Sequence, residues 1–164
     1  MSGKKALFLF LAFMLPVCVF LFLKIFGKNE FAVQPMFQKE LPENISGCDD
    51  VHLPYKVDKK IVDEILSGKD SLVLIYFERE NPSKESLNQM RRAEKLMKDY
   101  PMQIAAVETS SPLANNKRCV FLVKDPYDLV LLDHNGLIRG QYVSDDLDEM
   151  DRLLTEVDII LKKY

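Results

Sequence analysis

Apolar positions in this chain fall into three kinds of run, and each kind predicts a different element. The first is continuous. Ala6 to Leu23 reads ALFLFLAFMLPVCVFLFL, interrupted only by Pro16, with no polar face. About 20 such residues cross a bilayer, so the run, extended through Ile25-Phe26, predicts a retained single-pass membrane helix. The second kind is short and unbroken. Leu72–Phe77 (LVLIYF) and Met102–Val107 (MQIAAV) have strand length and the look of strands covered on both faces. The third kind is periodic. Leu87, Met90, Ala93 and Met97 recur every three or four residues. Leu147, Met150, Leu153, Leu154, Val157, Ile160 and Leu161 do so over four turns. Both sets predict amphipathic helices.

Punctuation orders these runs. Asp58 caps a short helix with Ile61, Val62, Ile65 and Leu66 on its apolar face, closed by Gly68. Asn81-Pro82 supplies a cap and a first-turn proline for the helix through Met97, and Tyr100-Pro101 stops it. Glu108–Arg118 is polar and reads as a loop. Cys119–Val123 suits either a strand or a helical turn. Tyr127–Leu132 and Leu137–Val143 are strands joined by Asp133-His134-Asn135-Gly136, a hairpin signal with Asn-Gly at its centre. Ser144 caps the last helix, with Asp145 and Asp146 in its first turn. The order is βαβ, then a ββ hairpin, then α. That is the order of a thioredoxin-like α/β domain, a mixed four-stranded sheet with flanking helices. The chain therefore divides into an anchor at residues 1–28, a Pro- and Gly-containing lead-in at 29–53, and a domain at 54–164.

Charge narrows the partners. Of 22 Lys and Arg residues, four lie in residues 1–28, which hold no Asp or Glu; residues 29–164 carry 18 against 25, a net of −7. A nucleic-acid partner needs a basic footprint, so none is expected. Membrane lipid, through Ala6–Phe26, is the partner the apolar run implies. Lys4 and Lys5 precede the run and Lys24 and Lys28 follow or end it, a slight positive-inside bias that leaves the domain extracytoplasmic. No small-residue cleavage site follows the run.

Candidate chemistry is sparse. Strand-to-helix turns favour thiolates or other anions at the helix N-terminus, yet the turn Glu78-Arg79-Glu80-Asn81-Pro82-Ser83-Lys84-Glu85 has no cysteine and no histidine. Glu78, Glu80 and Glu85 could meet a hard cation, but acids are favoured at a helix start in any case. Cys18 lies within the apolar run. Cys48 and Cys119 lie outside it without C-x-x-C spacing, and three readings stay open for them: a structural disulfide, two separate thiols, or a redox or metal pair. His52, four residues after Cys48, makes at most half a metal site, and His134 reads as an exposed turn residue. Asn44-Ile45-Ser46 matches a glycosylation acceptor pattern.

The lead-in after the anchor (Gly27-Lys28-Asn29-Glu30-Phe31), the stretch Leu72–Met90, and the ending Leu131-Leu132-Asp133-His134-Asn135-Gly136-Leu137-Ile138-Arg139-Gly140-Gln141-Tyr142 resemble the Sco/SenC family. These are membrane-anchored thioredoxin-like proteins of cytochrome oxidase assembly, and the branch found in Bacteroidetes is the most similar. The resemblance implies a single-pass inner-membrane protein with a periplasmic domain. Its partners would be respiratory oxidase subunits or other assembly factors. Copper in that family is held by a C-P-x-x-C turn and a histidine ahead of the hairpin, soft ligands that suit it. Counting from Pro82, Asn81 and Glu85 stand where the cysteines would fall, and Asp125 stands near the histidine position. The resemblance also makes Pro126 a candidate cis-proline. All three ligands are missing, so the expectation is a non-catalytic binding or scaffold protein without cofactor and with a vestigial site at Asn81, Glu85 and Asp125. Copper or thiol–disulfide chemistry enters only as an alternative that uses Cys48 and Cys119.

Overall fold

The computed structural model describes residues 3–26, 32–43, 45, 47–48, 51–66 and 71–163. The chain forms two compact units, residues 1–31 and 32–164. The first holds a single helix, α1, Gly3–Phe26, 24 residues with Pro16 inside it. Side chains at 4–9, 11, 23, 25 and 26 lie outside the description. Among the described residues no helix is long and apolar enough to cross a membrane.

The second unit is a mixed α/β layer structure. Its strands are β1 (Leu72–Phe77), β2 (Met102–Val107), β3 (Leu129–Asp133) and β4 (Ile138–Tyr142), in the sheet order β2-β1-β3-β4. β1 pairs parallel with β2 and antiparallel with β3, and β3 pairs antiparallel with β4. The unbroken apolar runs follow from this order. β1 and β3 are central, and successive side chains point to opposite faces. Leu72, Leu74 and Tyr76 join Leu129 and Leu131 under α3 (Lys84–Met97) and α6 (Leu147–Lys163). Val73, Ile75 and Phe77 join Val130 and Leu132 under α2 (Lys59–Ile65) and the lead-in. On that second face the Phe77 and Phe121 rings lie tilted, with centroids 5.5 Å apart.

Several element details differ from the sequence expectation. α3 starts at Lys84, with Ser83 Oγ accepting from Ser86 N at 3.0 Å; Asn81 and Pro82 precede the helix instead of opening it. Its buried face is Ser86, Gln89, Met90, Ala93 and Met97, whereas Leu87 is exposed. The 108–120 stretch, expected as a loop as far as Arg118, holds two short helices, α4 (Pro112–Asn115) and α5 (Lys117–Val120), so Cys119 sits in a helical turn. α6 starts after Asp146, whose Oδ1 accepts from Asp148 N and Glu149 N at 2.9 and 3.3 Å. Ser144 is not its cap; a buried carboxylate claims that serine. Leu147, expected on the apolar face of α6, is exposed. α2 ends at Ile65, with Leu66 extended as its C-cap; Gly68, expected to close that helix, and the Asn44/Ser46 acceptor pattern lie outside the described residues.

The β3–β4 connection is a four-residue segment, His134-Asn135-Gly136-Leu137. Gly136 N donates to Asp133 O at 2.9 Å and Asp133 N to Leu137 O at 3.0 Å. Gly136 has φ +78°, and a Cβ there would come 2.7 Å from Val57 O, so only glycine fits. A buried pair braces the hairpin. Asp133 accepts from Asn135 N and Leu137 N at 2.9 Å each and from Arg139 Nε and Nη2 at 2.9 and 2.8 Å. Arg139 Nη1 also donates to Val33 O at 3.1 Å. Together with the bond from Met36 N to Ile138 O at 2.8 Å, this lays the start of the lead-in along β4. Edge strands need such cover.

Candidate functional site

The strand-to-helix turn at the end of β1 is the place where this layout would carry chemistry. Asn81 and Glu85 are both exposed, Asn81 before α3 and Glu85 in its first turn, where Gln89 Nε2 donates to Glu85 Oε1 at 2.6 Å. Glu78 and Glu80 are exposed as well. Asp125 is solvated in the loop before β3, near Lys117 Nζ at 3.5 Å, and the Asp125–Pro126 peptide is cis. His134 and His52 are exposed. Among the described residues no three His, Cys, Asp or Glu side chains converge as a metal-ion site.

Beneath this surface lies a polar chain that the sequence reading did not anticipate. Arg79 spans two loops. Its Nε lies 2.9 Å from Asp128 Oδ2, its Nη2 donates to Pro126 O at 3.0 Å, and its Nη1 donates to Asp145 Oδ2 at 3.2 Å. Asp128 is buried and accepts from Ser144 N at 2.7 Å and from Ser144 Oγ at 2.6 Å. Ser144 Oγ lies 2.6 Å from Ser86 Oγ, which lies 3.3 Å from Tyr76 Oη. Donor counting orients the chain. The one hydroxyl proton of Ser144 goes to the carboxylate, so Ser86 donates to Ser144 and Tyr76 donates to Ser86. Two backbone bonds run alongside, Phe77 N to Asp128 O at 2.9 Å and Asp128 N to Tyr142 O at 3.1 Å.

The chain joins the β1–α3 turn, the loop carrying Pro126, and the β4–α6 turn. Buried polar groups are costly when unpaired and rigidifying when all are satisfied, and no described buried side-chain polar atom lacks a partner. Two signals in the sequence pointed here. Ser86 falls on the core spacing of Met90, Ala93 and Met97, and Asp128 interrupts the apolar run that leads to Leu132. The group presents an exposed Arg79 edge and three fixed loops, and it offers no thiol or imidazole as nucleophile.

Cys48 and Cys119 form a disulfide, with Cα atoms 5.3 Å apart and a sequence separation of 71. It ties the lead-in to α5, where Tyr55 Oη donates to Val120 O at 2.7 Å and reaches Cys119 O at 3.2 Å. With its sulfur so bonded, Cys48 offers His52 no thiolate to complete a metal site. Cys18 is a free, exposed cysteine.

Further along, Tyr142 is buried, donates to Glu156, and carries the Arg152 guanidinium 4.5 Å above its ring. Burial first, then the Glu156 bond, pushes its phenol far above the ordinary tyrosine range. No protein-family model and no curated protein matches this chain.

Proposed function

We propose that this chain is a membrane-anchored, extracytoplasmic, thioredoxin-type protein similar to the Sco/SenC family, acting as a non-catalytic binding or scaffold factor in respiratory cytochrome c oxidase assembly. The sheet order β2-β1-β3-β4, with a parallel βαβ unit followed by an antiparallel hairpin, supports the thioredoxin-type reading. The anchor rests on the apolar sequence from Ala6 to Phe26. The disulfide suits an oxidising, extracytoplasmic setting.

The observation that carries the non-catalytic reading is the occupant of the turn. Asn81, Glu85 and Asp125 stand in place of two thiols and an imidazole, and Arg79 bonds across the loops beside them. Such a site holds its shape without a redox couple or a soft metal ligand. A second reading, copper binding or thiol–disulfide exchange through Cys48 and Cys119, draws support from the pairing of those residues.

Two measurements on the full chain in detergent separate the readings. Cu(I) titration of the reduced protein should give no stoichiometric, thiol-dependent uptake. Tight one-to-one uptake that disappears in Cys48→Ser would favour the second reading. Affinity isolation from native membranes after crosslinking should recover oxidase subunits or assembly intermediates, and their consistent absence would remove the oxidase assignment.

A further inference from the structure

β2 ends the sheet order on one side, while the lead-in lies along β4 at the other. β2 reads MQIAAV, pairs with β1 over all six residues without a register shift, and carries no charge and no proline. Charge, proline and bulges are what edge strands commonly use against a neighbour. The ladder shows which groups lie on its outer side. In a parallel pair successive residues turn their N–H and C=O to alternate sides. Val107 stands opposite Phe77, and its carbonyl accepts from Glu78 N at 3.0 Å, so Val107 faces β1. Ala106 and Ile104 therefore turn their N–H and C=O outward, as Met102 does its carbonyl. Met102 N is taken by Tyr100 O at 2.8 Å.

α3 adds a charged row above this edge. Met102 and Ile104 pack against the cluster that holds Met90, Ala93 and Met97. The α6 flank of the helix is marked by Arg92, bonded to Asp151 at 2.6 Å. At 3.6 residues per turn Leu87, Arg91, Glu94 and Lys98 share the other flank, and all four are exposed. Among the described residues neither Arg91 nor Glu94 has an ion-pair partner. The helix runs against the direction of β2. Ser86 lies beside Tyr76, which stands opposite Ala106, and at the far end Tyr100 links Met97 O to Met102 N. The middle of the row, between Arg91 and Glu94, is thus close to level with Ile104.

We infer that the outer edge of β2 and this α3 row form an isologous interface with a second copy of the chain, β2 pairing antiparallel with β2 about a two-fold axis at Ile104. Each Ile104 exchanges both of its backbone bonds with the Ile104 of the other copy. Each Ala106 N–H donates to the other copy's Met102 carbonyl, and the two sheets become one. The same axis lays the α3 row against its own reverse. Arg91 of each copy then faces Glu94 of the other, and Leu87 meets the aliphatic stem of Lys98. A row complementary in charge to its own reverse singles out a second copy over a uniformly acidic or basic partner. The inference is independent of the oxidase reading, because it concerns only this edge.

The test is the association state of the full chain carrying Cys18→Ser, by sedimentation in density-matched detergent at protein concentrations up to roughly 100 µM. A reversible monomer–dimer equilibrium is expected. Ala106→Pro deletes an outward N–H and no ladder bond to β1, and it should weaken the dimer by about ten-fold or more. Arg91→Glu and Glu94→Arg each set like charges face to face and should weaken it similarly. Arg91→Glu/Glu94→Arg restores opposite charges and should restore the dimer. That rescue distinguishes this interface from association through α1 and from a folding defect, and it gives the answer if Ala106→Pro folds poorly. Three results overturn the inference: a full chain that stays monomeric throughout, a dimer that none of the single variants weakens, or a double charge variant no tighter than the single ones.

Discussion

Asp128→Ala tests whether the polar chain under the β1–α3 turn holds the three loops together. The substitution removes the acceptor for Ser144 N, Ser144 Oγ and Arg79 Nε at once. Ser144 is fully buried, so its amide and hydroxyl protons cannot turn to bulk water. Each stranded donor costs about 1–3 kcal/mol. Arg79 differs. Its side chain is 37% exposed against 4% for Asp128, so water takes over its lost bond and this part stays within about 1 kcal/mol. The sum is a loss of about 2–7 kcal/mol, most of it from the serine. Asp128→Asn retains one acceptor oxygen and should lose roughly half as much, on the same cost per donor. Arg79→Ala should cost about 1 kcal/mol. Urea unfolding of the full chain in detergent at neutral pH, with the slope held common, measures all three. A loss below about 1 kcal/mol for Asp128→Ala would refute the argument, since water would then be satisfying Ser144. So would an Arg79→Ala loss as large as that of Asp128→Ala, because the ion pair and not the buried serine would then be the fastening.

Other outcomes follow from the same coordinates. Tyr142 stays neutral in the fold well above the ordinary tyrosine pKa, and burial raises Tyr55 in the same direction. The unfolded chain releases these protons near pH 10 and the folded chain holds them, so stability is intact below that pH and falls as pH rises past it. The slope is at most about 1.4 kcal/mol per pH unit for each proton. Chemical unfolding at stepped alkaline pH should show this decline, shallower in Tyr142→Phe. Gly140→Ala would place a Cβ 2.1 Å from Tyr142 Oη and 2.4 Å from its Cζ, so the phenol must leave its bond to Glu156. A loss of about 1–3 kcal/mol is expected in the urea assay, and a loss under about 0.5 would show that the ring moves freely. Opening the disulfide should lower stability by about 2–4 kcal/mol, given its 71-residue separation, and comparing unfolding curves of the oxidised and reduced protein measures it.

The elements were legible where one interaction dominates. Leu72–Phe77 reads as a buried strand because both of its faces are covered, and all six residues are buried. The α6 periodicity survives in Met150, Leu153, Val157 and Ile160, which line its inner face. Reading failed where a polar residue took a core position. Ser86 and Gln89 lie on the inner face of α3 and Leu87 turns outward, because the helix is rotated so that Ser86 can meet Ser144 while Met90, Ala93 and Met97 stay inside. Asn81-Pro82 looked like a helix start, yet Ser83, two residues after Asn81, makes the cap, because its hydroxyl reaches Ser86 N. The candidate site divides the same way. That the turn lacks thiol and imidazole is plain from eight residues, whereas the roles of Arg79, Asp128 and Ser144 depend on residues up to 66 apart in sequence.

By itself the sequence determined the order of elements, the apolar N-terminal run, the acidic balance of the rest, and the absence of soft ligands at the β1–α3 turn. These depend on composition and on short-range periodicity, which backbone geometry converts directly into helix or strand. The tertiary structure alone decided which of three fates Cys48 and Cys119 meet, because spacing does not set the distance between residues 71 apart. It alone decided that Arg79 and Asp128 fasten the loops around an empty-handed turn. Hydrogen bonds are short and directional, so they form only between groups that the packing of the two sheet faces has already brought within reach.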